Sequence, residues 1–442
     1  MSVLADATAG FTVSTDSLWL MICAALVLLM TPGLAFFYGG MVRAKSVINM
    51  MMMSFGAIAL VSVLWLIYGY SMSFGVADKR GHITDWVIPH WLLNPFANLA
   101  LHDFLPIHAD GSLSALNAGD TYSLAFVGFE ATFAIITVAL ISGAIADRAK
   151  FGAWMIFAGV WVTVVYFPVA SWVFNFTVGA DGQVVDGGWL VHQLGLADFA
   201  GGTAVEINSG AAALALALVL GRRLGFTKGM AKPHNVPLTL IGAALLWFGW
   251  FGFNSGSALA VNTSAALAWV NTLAAPAAAT IGWIVTERLK EGKPTSIGAA
   301  SGAVSGLVAI TPAGNVLTPG WAMVLGVLTG VACCLAVELK WRFGFDDSLD
   351  VVGIHLVGGL IGTLFIGFFG AGIGLLDTGS FRQLGVQAIA SLAVGVYSFV
   401  IAYAIGWVLQ KTIGFRITNE DESAGVDNVL HGEEGYALDP AF

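Results

Sequence analysis

Charge is what this chain of 442 residues has least of, since Asp, Glu, Lys and Arg together make up only 10% of it. A soluble domain is typically about 25% charged. Apolar stretches of about 20 residues, the length that crosses a membrane as a helix, recur along the sequence. The composition therefore excludes an ordinary soluble domain and predicts an all-α protein that crosses a membrane many times.

Other absences exclude further classes of protein. The three cysteines all lie in apolar runs and offer neither a disulfide framework nor zinc spacing. Residues 1–16 contain no Lys or Arg, so no cleavable signal peptide is predicted. Four histidines in the loop 73–120 match no familiar metal-ligand spacing, and no metal or cofactor is predicted. A net charge of −9 suggests no nucleic-acid partner, and no activated nucleophile lies in an apolar stretch, so we do not expect an enzyme.

Eleven apolar stretches are long enough to span a membrane. They lie near residues 17–39, 46–72, 121–145, 151–174, 199–220, 236–256, 264–286, 297–313, 319–340, 351–372 and 385–410. We therefore expect a transmembrane domain over residues 1–412, followed by a tail at 413–442. With the N-terminus outside, 15 of the 18 basic residues fall in inner loops or the tail. The positive-inside rule then predicts an outer N-terminus and a cytoplasmic C-terminus.

Few ionisable groups lie well inside these stretches, namely Glu130, Glu206 and His355, while Glu338 lies near the inner end of one. Glu206 is the most informative of them, because it interrupts the apolar run DFAGGTAVEINSGAAALALALVL. A carboxylate at such depth costs at least ~2.5 kcal/mol on insertion scales, and ionisable groups that persist there are functional by default. Glu206 and His355 are thus the first candidates for a working site.

The two candidates occupy related positions in the two halves of the chain. Asp198 precedes Glu206 by eight residues at the start of the fifth span, and Asp350 precedes His355 by five at the start of the tenth. The fifth span enters from outside and the tenth from inside. This pattern predicts two inverted five-helix repeats, about 17–220 and 236–372, with the site at their interface and an extra eleventh helix at 385–410. Both aspartates are expected to act mainly as helix N-caps, and Asp350 as a structural acid near the pore.

Long motifs in the chain resemble the ammonium transporter (Amt/Mep/Rh) family, in its Amt/Mep branch. They include AFFYGGMVRAKSVINMMMMSF, DFAGGTAVEINSG, KPHNVPLTLIGAALLWFGWFGFNSGSA, DDSLDVVGIH and HGEEGY, so the resemblance runs almost end to end. It implies uptake of ammonium and methylammonium through a hydrophobic pore in the cytoplasmic membrane. It also implies a homotrimer with one pore per subunit. A sensor whose pore mainly signals is the alternative.

The resemblance further implies an outer recruitment site that holds ammonium by aromatic faces and a serine hydroxyl. Phe133 and Ser257 match that pattern, and Asp198 would shape the site electrostatically. Phe174 stands where the family has a tryptophan, which puts a weaker cation–π face at this position. The segment FEATFAIIT matches the family's gate and makes Phe129 and Phe133 the stacked rings, although their i, i+4 spacing fits core packing equally well.

The pore itself is expected to be lined by Trp250 and by the pair Glu206 and His355. His355 matches the second of two histidines that family members commonly have in the pore, and Glu206 replaces the first. A protonated carboxyl donates to a neutral imidazole much as a second imidazole does, and two such groups titrate as one coupled pair. The hypothesis is that Glu206 and His355 relay a proton while ammonia crosses beside them, with net movement of charge.

The tail at 413–442 holds seven acids and one arginine, and its segment GVDNVLHGEEGY resembles an ordered part of the family's C-terminus. The resemblance implies that the tail couples the subunits and helps a PII-type signal protein to dock. Composition alone favours a disordered acidic tail.

Overall fold

The computed structural model describes residues 14–78, 80–104, 118–179, 182–226 and 232–436. Part of the long loop at 73–120 and the last six residues of the tail lie outside these ranges. Eleven helices in the described part are long and apolar enough to cross a membrane, which confirms the predicted number. They are α1 (Thr15–Met41), α2 (Ala44–Ser73), α3 (Tyr122–Ile145), α4 (Phe151–Val173), α5 (Gly202–Leu220), α6 (Val236–Gly256), α7 (Thr263–Glu291), α8 (Ser296–Ala313), α9 (Pro319–Phe343), α10 (Val352–Phe369) and α11 (Arg382–Thr412).

Several helices begin at a residue whose side chain takes up a free backbone N–H group. Ser14 caps α1, and Asn262, Thr295 and Thr318 cap α7, α8 and α9. Such caps satisfy donors that have no intrahelical partner, which matters most where no water is present. The sequence thus sets the helix starts by short polar residues placed directly before apolar runs.

The two helices that carry Glu206 and His355 begin differently from the others. Each opens with a π-helical turn, at Gly202–Ile207 in α5 and at Val352–Leu356 in α10. The candidate residue lies in that turn in both cases. Turns of this kind are frequent at functional sites because they widen the helix and redirect a side chain. The shared irregularity is consistent with the predicted pair of inverted repeats.

Short elements and ion pairs close the two ends of the bundle. Two small antiparallel hairpins, β1 (Trp86–Ile88) with β2 (Leu92–Leu93) and β3 (Phe176–Val178) with β4 (Val184–Gly187), lie in loops at one end. The other end carries the tail, which folds into α12 (Asn419–Ala424) and α13 (Val426–His431). The described part of the tail is therefore ordered, contrary to what its composition favours.

Charged side chains hold that tail against the helix ends. Glu422 is fully buried, accepts a bond from Arg416 at 2.9 Å and lies 3.7 Å from Arg43. Arg223 bridges Asp346 at 2.8 Å and Asp147 at 3.0 Å. Although burial opposes it, the hydrogen bonds from Arg223 lower the pKa of Asp346. Arg43 and Arg416 thus bind Glu422 of the tail, while Arg223 joins the loops that follow α3, α5 and α9.

Candidate functional site

Two cavities follow one another along the interior of the bundle. The wider one has a volume of about 650 Å³ and lies towards the end with the hairpins. The narrower one leaves only about 10 Å³ open to a water molecule, which is about the least that holds one. Its lining is apolar except for Glu206 and His355; the apolar part comprises Met30, Leu34, Phe37, Ile136, Leu140, Val205, Leu246, Trp250, Phe253 and Val304. The wide cavity is hereafter the outer cavity and the narrow one the pore cavity.

Two phenylalanine rings separate these cavities. Phe133 lines the outer cavity and Phe253 lines the pore cavity, and their ring centroids are 4.2 Å apart at an angle of 33°. Both rings are almost fully buried. Phe129 lines neither cavity and meets Phe133 edge-on, with centroids 4.9 Å apart and an angle of 61°. The expectation that Phe129 and Phe133 form the stacked pair is therefore wrong, because α6 brings Phe253 against Phe133 and leaves Phe129 behind it.

Trp250 lies directly behind this gate and lines the pore cavity. Its ring centroid is 5.4 Å from that of Phe253. The indole N–H donates to Thr311 Oγ1 at 2.9 Å, and Thr311 Oγ1 lies 3.3 Å from Asn254 Oδ1. This hydrogen bond fixes the ring plane, so Trp250 presents an apolar wall and no free polar atom to the pore.

The residues expected at the recruitment site do line one cavity. Phe133, Phe174, Asp198 and Ser257 all face the outer cavity. The Ser257 hydroxyl donates to the carbonyl of Phe253 at 2.8 Å, which leaves its oxygen free to accept a bond from an N–H group. Aromatic faces and an accepting oxygen suit a small cation that carries N–H donors.

Asp198 performs the capping role expected of it. Its carboxylate accepts from the backbone N–H groups of Gly201, Gly202 and Thr203 at 2.9, 2.6 and 2.8 Å, and from the Thr203 hydroxyl. Four donors occupy both oxygens. Asp198 therefore stabilises the start of α5, and little of its bonding capacity is left for a ligand.

Asp350 does not cap α10, and that expectation is wrong. The backbone N–H groups of Val351 and Val352 donate to Asp347 at 3.1 and 2.7 Å, while Asp350 pairs with Lys340. Burial and the nearby charge of Asp350 raise the pKa of Asp347 to about 6. The cap thus precedes His355 by eight residues, the same spacing as between Asp198 and Glu206.

Glu206 and His355 meet at the wall of the pore cavity. His355 Nδ1 lies 2.7 Å from Glu206 Oε2, and the two residues are 3% and 0% exposed. A contact this short requires one shared proton, either on Nδ1 or on Oε2. Within the described part of the chain, Glu206 Oε1 has no hydrogen-bond partner. The pair is thus an acid and a base that hold a proton between them.

Glycines bring the two helices close enough for this contact. A Cβ added to Gly359 would lie 2.9 Å from Glu206 Cβ, and one added to Gly210 would lie 2.5 Å from the backbone nitrogen of Leu356. Neither distance leaves room for a side chain. Small residues commonly permit such approach of membrane helices. The position of the pair therefore depends on α5 and α10 packing backbone to backbone.

Sequence reasoning missed three residues that the structure places at or near the site. Phe253 comes three residues after Trp250 and four before Ser257, so helical spacing alone could have placed it on their face. Asp347 could have been found from its eight-residue spacing to His355. The contact of Thr311 with Trp250 could not be predicted from spacing, because the two residues lie on different helices.

A gate of two aromatic rings and a narrow apolar passage with one acid–base pair define a membrane protein with a selective pore. Residues 18–436 match the model of the Ammonium Transporter Family. An ammonium transporter from Mycobacterium bovis is 51% identical over 434 residues, covering 95% of this chain and 90% of the relative. One from Bacillus subtilis is 41% identical over 428 residues, covering 95% and 98%.

Solved structures agree with this finding. A structure described as a sensor Amt protein superposes with a TM-score of 0.82 at 28% identity, covering 94% of this chain and 98% of that one. Mep2 of Saccharomyces cerevisiae superposes with a TM-score of 0.77 at 30% identity, covering 92% and 88%. The chain belongs to the ammonium transporter family.

Proposed function

We propose that this protein moves ammonium and methylammonium across the cytoplasmic membrane through the passage between α1, α3, α5, α6, α8 and α10. The main support for this proposal is the pore cavity, which is narrow, apolar and closed at its outer side by Phe133 and Phe253. A bare cation in such a place loses its hydration and gains too little in return. Ammonium escapes this penalty by releasing a proton and crossing as neutral ammonia. Potassium has no such route, so the same passage excludes it.

Glu206 and His355 are proposed to take the released proton and pass it on. Their 2.7 Å contact holds one proton already, and Glu206 Oε1 offers a second acceptor at the same site. When Oε2 carries the shared proton, a proton that arrives at Oε1 moves it to His355 Nδ1, and the ring then releases a proton from Nε2. Charge moves through the pair while ammonia passes beside it, which makes transport electrogenic.

Uptake of labelled methylammonium by a strain that lacks its own ammonium transporters tests the transport proposal. Saturable uptake that ammonium competes away and potassium does not is the expected result. Cells that hold the protein in their membrane and take up no methylammonium would refute transport and leave the sensor as the function.

Orientation and assembly are part of the same proposal. The basic residues of the predicted inner loops support a cytoplasmic C-terminus and an outer N-terminus. Labelling of single cysteines introduced at residue 80 and at residue 434 checks this, with an impermeant reagent expected to reach only the first in intact cells. Resemblance to Amt and Mep2 structures supports a homotrimer with a pore in each subunit, which light scattering in detergent measures directly.

A PII-type signal protein is proposed to dock at the cytoplasmic face beside the tail. The support is the ordered surface that α12 and α13 form with the loop after α1 and with the start of α2. A pull-down with a PII protein from the same cells, with the full chain and with a chain ending at residue 412, tests this proposal. Binding that is equal for both chains would remove the tail from the interface.

A further inference from the structure

Glu130 is the one carboxylic acid within a described membrane span that lines the outer cavity. Its exposed fraction is only 7%, and its Oε2 has no hydrogen-bond partner among the residues described. The proposed proton relay makes no use of it, because it lies on the other side of the gate. A buried carboxyl of this kind requires an explanation.

The position of Glu130 on α3 is directly outside the gate. Phe126 lies one turn further out and Phe133 about one turn further in, and all three line the outer cavity. Phe133 is the outer ring of the gate and contacts the tilted ring of Phe253. A cation that reaches the gate from the outer cavity therefore passes the carboxyl of Glu130 first.

The other acid of the outer cavity does not compete for this role. Asp198 already accepts four hydrogen bonds at the start of α5. No Lys, Arg or His is among the described residues that line the cavity. Among the residues that the structure describes, neither a helix start nor a cation of the cavity lining thus pairs with the Glu130 carboxyl.

Aromatic rings make up much of the surrounding wall. Phe74 contacts Phe126 edge-on with centroids 4.9 Å apart, and Tyr70 lies 5.6 Å from Phe74. Phe174 completes this wall across the cavity. An ionised carboxylate beside such a wall is poorly solvated, and a cation that pairs with it relieves that penalty. The same rings attract the cation by their π-faces.

From these observations we infer that Glu130 is the charged anchor for ammonium in the outer cavity. It binds the cation through its carboxylate directly outside Phe133, and Ser257 and the aromatic wall supply the weaker contacts. This inference rests on the proposed transport function and adds the ionic partner to it. It also explains how a cavity with Phe174 in place of an indole holds a cation, since the carboxylate supplies the attraction that the weaker ring lacks.

The test compares Glu130→Gln with the unaltered protein in methylammonium uptake. Gln keeps the shape of the side chain and removes its charge. We expect the KM to rise about tenfold, the ratio that 1.4 kcal/mol of binding energy gives, with little change in maximal rate. Glu291→Gln, which removes one charge from an exposed position at the end of α7, is the matched control and leaves KM unchanged.

Two further variants test whether Glu130 binds the cation by its charge or has only a structural role. Glu130→Asp keeps the charge on a shorter arm and is expected to raise KM by no more than about threefold. Phe174→Trp, added to Glu130→Gln, supplies the strongest cation–π face and lowers the KM of that variant by about threefold. A packing defect at Glu130 would not respond to a ring on the far side of the cavity.

The outcomes distinguish this inference from the proposed function. If the unaltered protein takes up no methylammonium, the proposed function fails. If it does and Glu130→Gln keeps its KM within about twofold, the inference is overturned and transport stands. Should Glu130→Gln fail to reach the membrane, Glu130→Asp and Glu130→Asn provide the same comparison of acid with amide, with the tenfold difference expected between them.

Discussion

Replacing Glu206 with Gln separates the proton relay from the shape of the pore. The two side chains have the same size, and the contact of 2.7 Å to His355 Nδ1 survives because an amide either donates to or accepts from an imidazole nitrogen. The variant loses an ionisable group whose burial is complete, so we expect the free energy of unfolding to change by no more than about 1–2 kcal/mol. What disappears is the ability to take up and release a proton.

The size of the transport defect follows from that loss. A positioned acid or base contributes about 10²–10⁴-fold to a proton transfer. We therefore expect the current that an ammonium pulse evokes on a solid-supported membrane to fall at least about 100-fold. The same proteoliposomes report methylammonium uptake, so charge and substrate movement are measured together.

Glu130→Gln is the matched control for this experiment, because it makes the same chemical change on the outer side of the gate. Its current at saturating ammonium is expected to stay close to that of the unaltered protein. A Glu206→Gln variant that carries a full current with unchanged pH dependence would refute the relay. Uptake without any current in the unaltered protein would refute the electrogenic mechanism itself.

Three other variants probe the structure around the pore. Gly359→Val places a branched side chain where even a Cβ would lie 2.9 Å from Glu206 Cβ, so we expect α5 and α10 to separate. Uptake should then fall at least about tenfold, although the protein still reaches the membrane. Asp347→Asn keeps the N-cap but removes a carboxyl whose pKa is raised to about 6 by burial and by Asp350. Because of that raised pKa, the unaltered protein loses up to about 3 kcal/mol of stability as pH rises from about 4 to 6. The Tm of the variant should vary less over that range. Asp427→Ala removes the acceptor of two N–H groups at the start of α2, and limited proteolysis should then cut the tail faster than in the unaltered protein.

The helices were predictable because a membrane imposes one strict condition, a long apolar run without free backbone groups. The number eleven therefore followed from the sequence. Glu206 and His355 were also predictable, since a buried ionisable group in lipid is too costly to persist by chance. Their contact, by contrast, depends on glycines of two helices distant in sequence, and no spacing rule gives that distance.

The errors have physical causes of the same kind. The segment DDSLD contains three acids, and which of them caps α10 depends on the backbone path. Asp350 adopts a positive φ of 64° and turns away, so that Asp347 takes the free N–H groups. The prediction of the two gate rings was wrong for a similar reason. Phe129 and Phe133 are neighbours on one helix and meet edge-on, whereas the ring that lies closest to Phe133 comes from another helix and belongs to Phe253.

With Asp347 as the cap of α10, Glu206 and His355 have matching electrostatic surroundings, which the sequence pattern indicated only in part. Glu206 and His355 each lie in the first turn of a helix, and each helix start is capped by an aspartate eight residues earlier. A helix start carries about half a positive charge, which a capping carboxylate offsets. Two helix starts capped in the same way would act on the pair with fields of similar size, and the predicted inverted repeats would set those fields on opposite sides of the membrane. In the proposed relay, neither helix start then favours one position of the shared proton, and the ammonium gradient and the membrane potential would decide its direction.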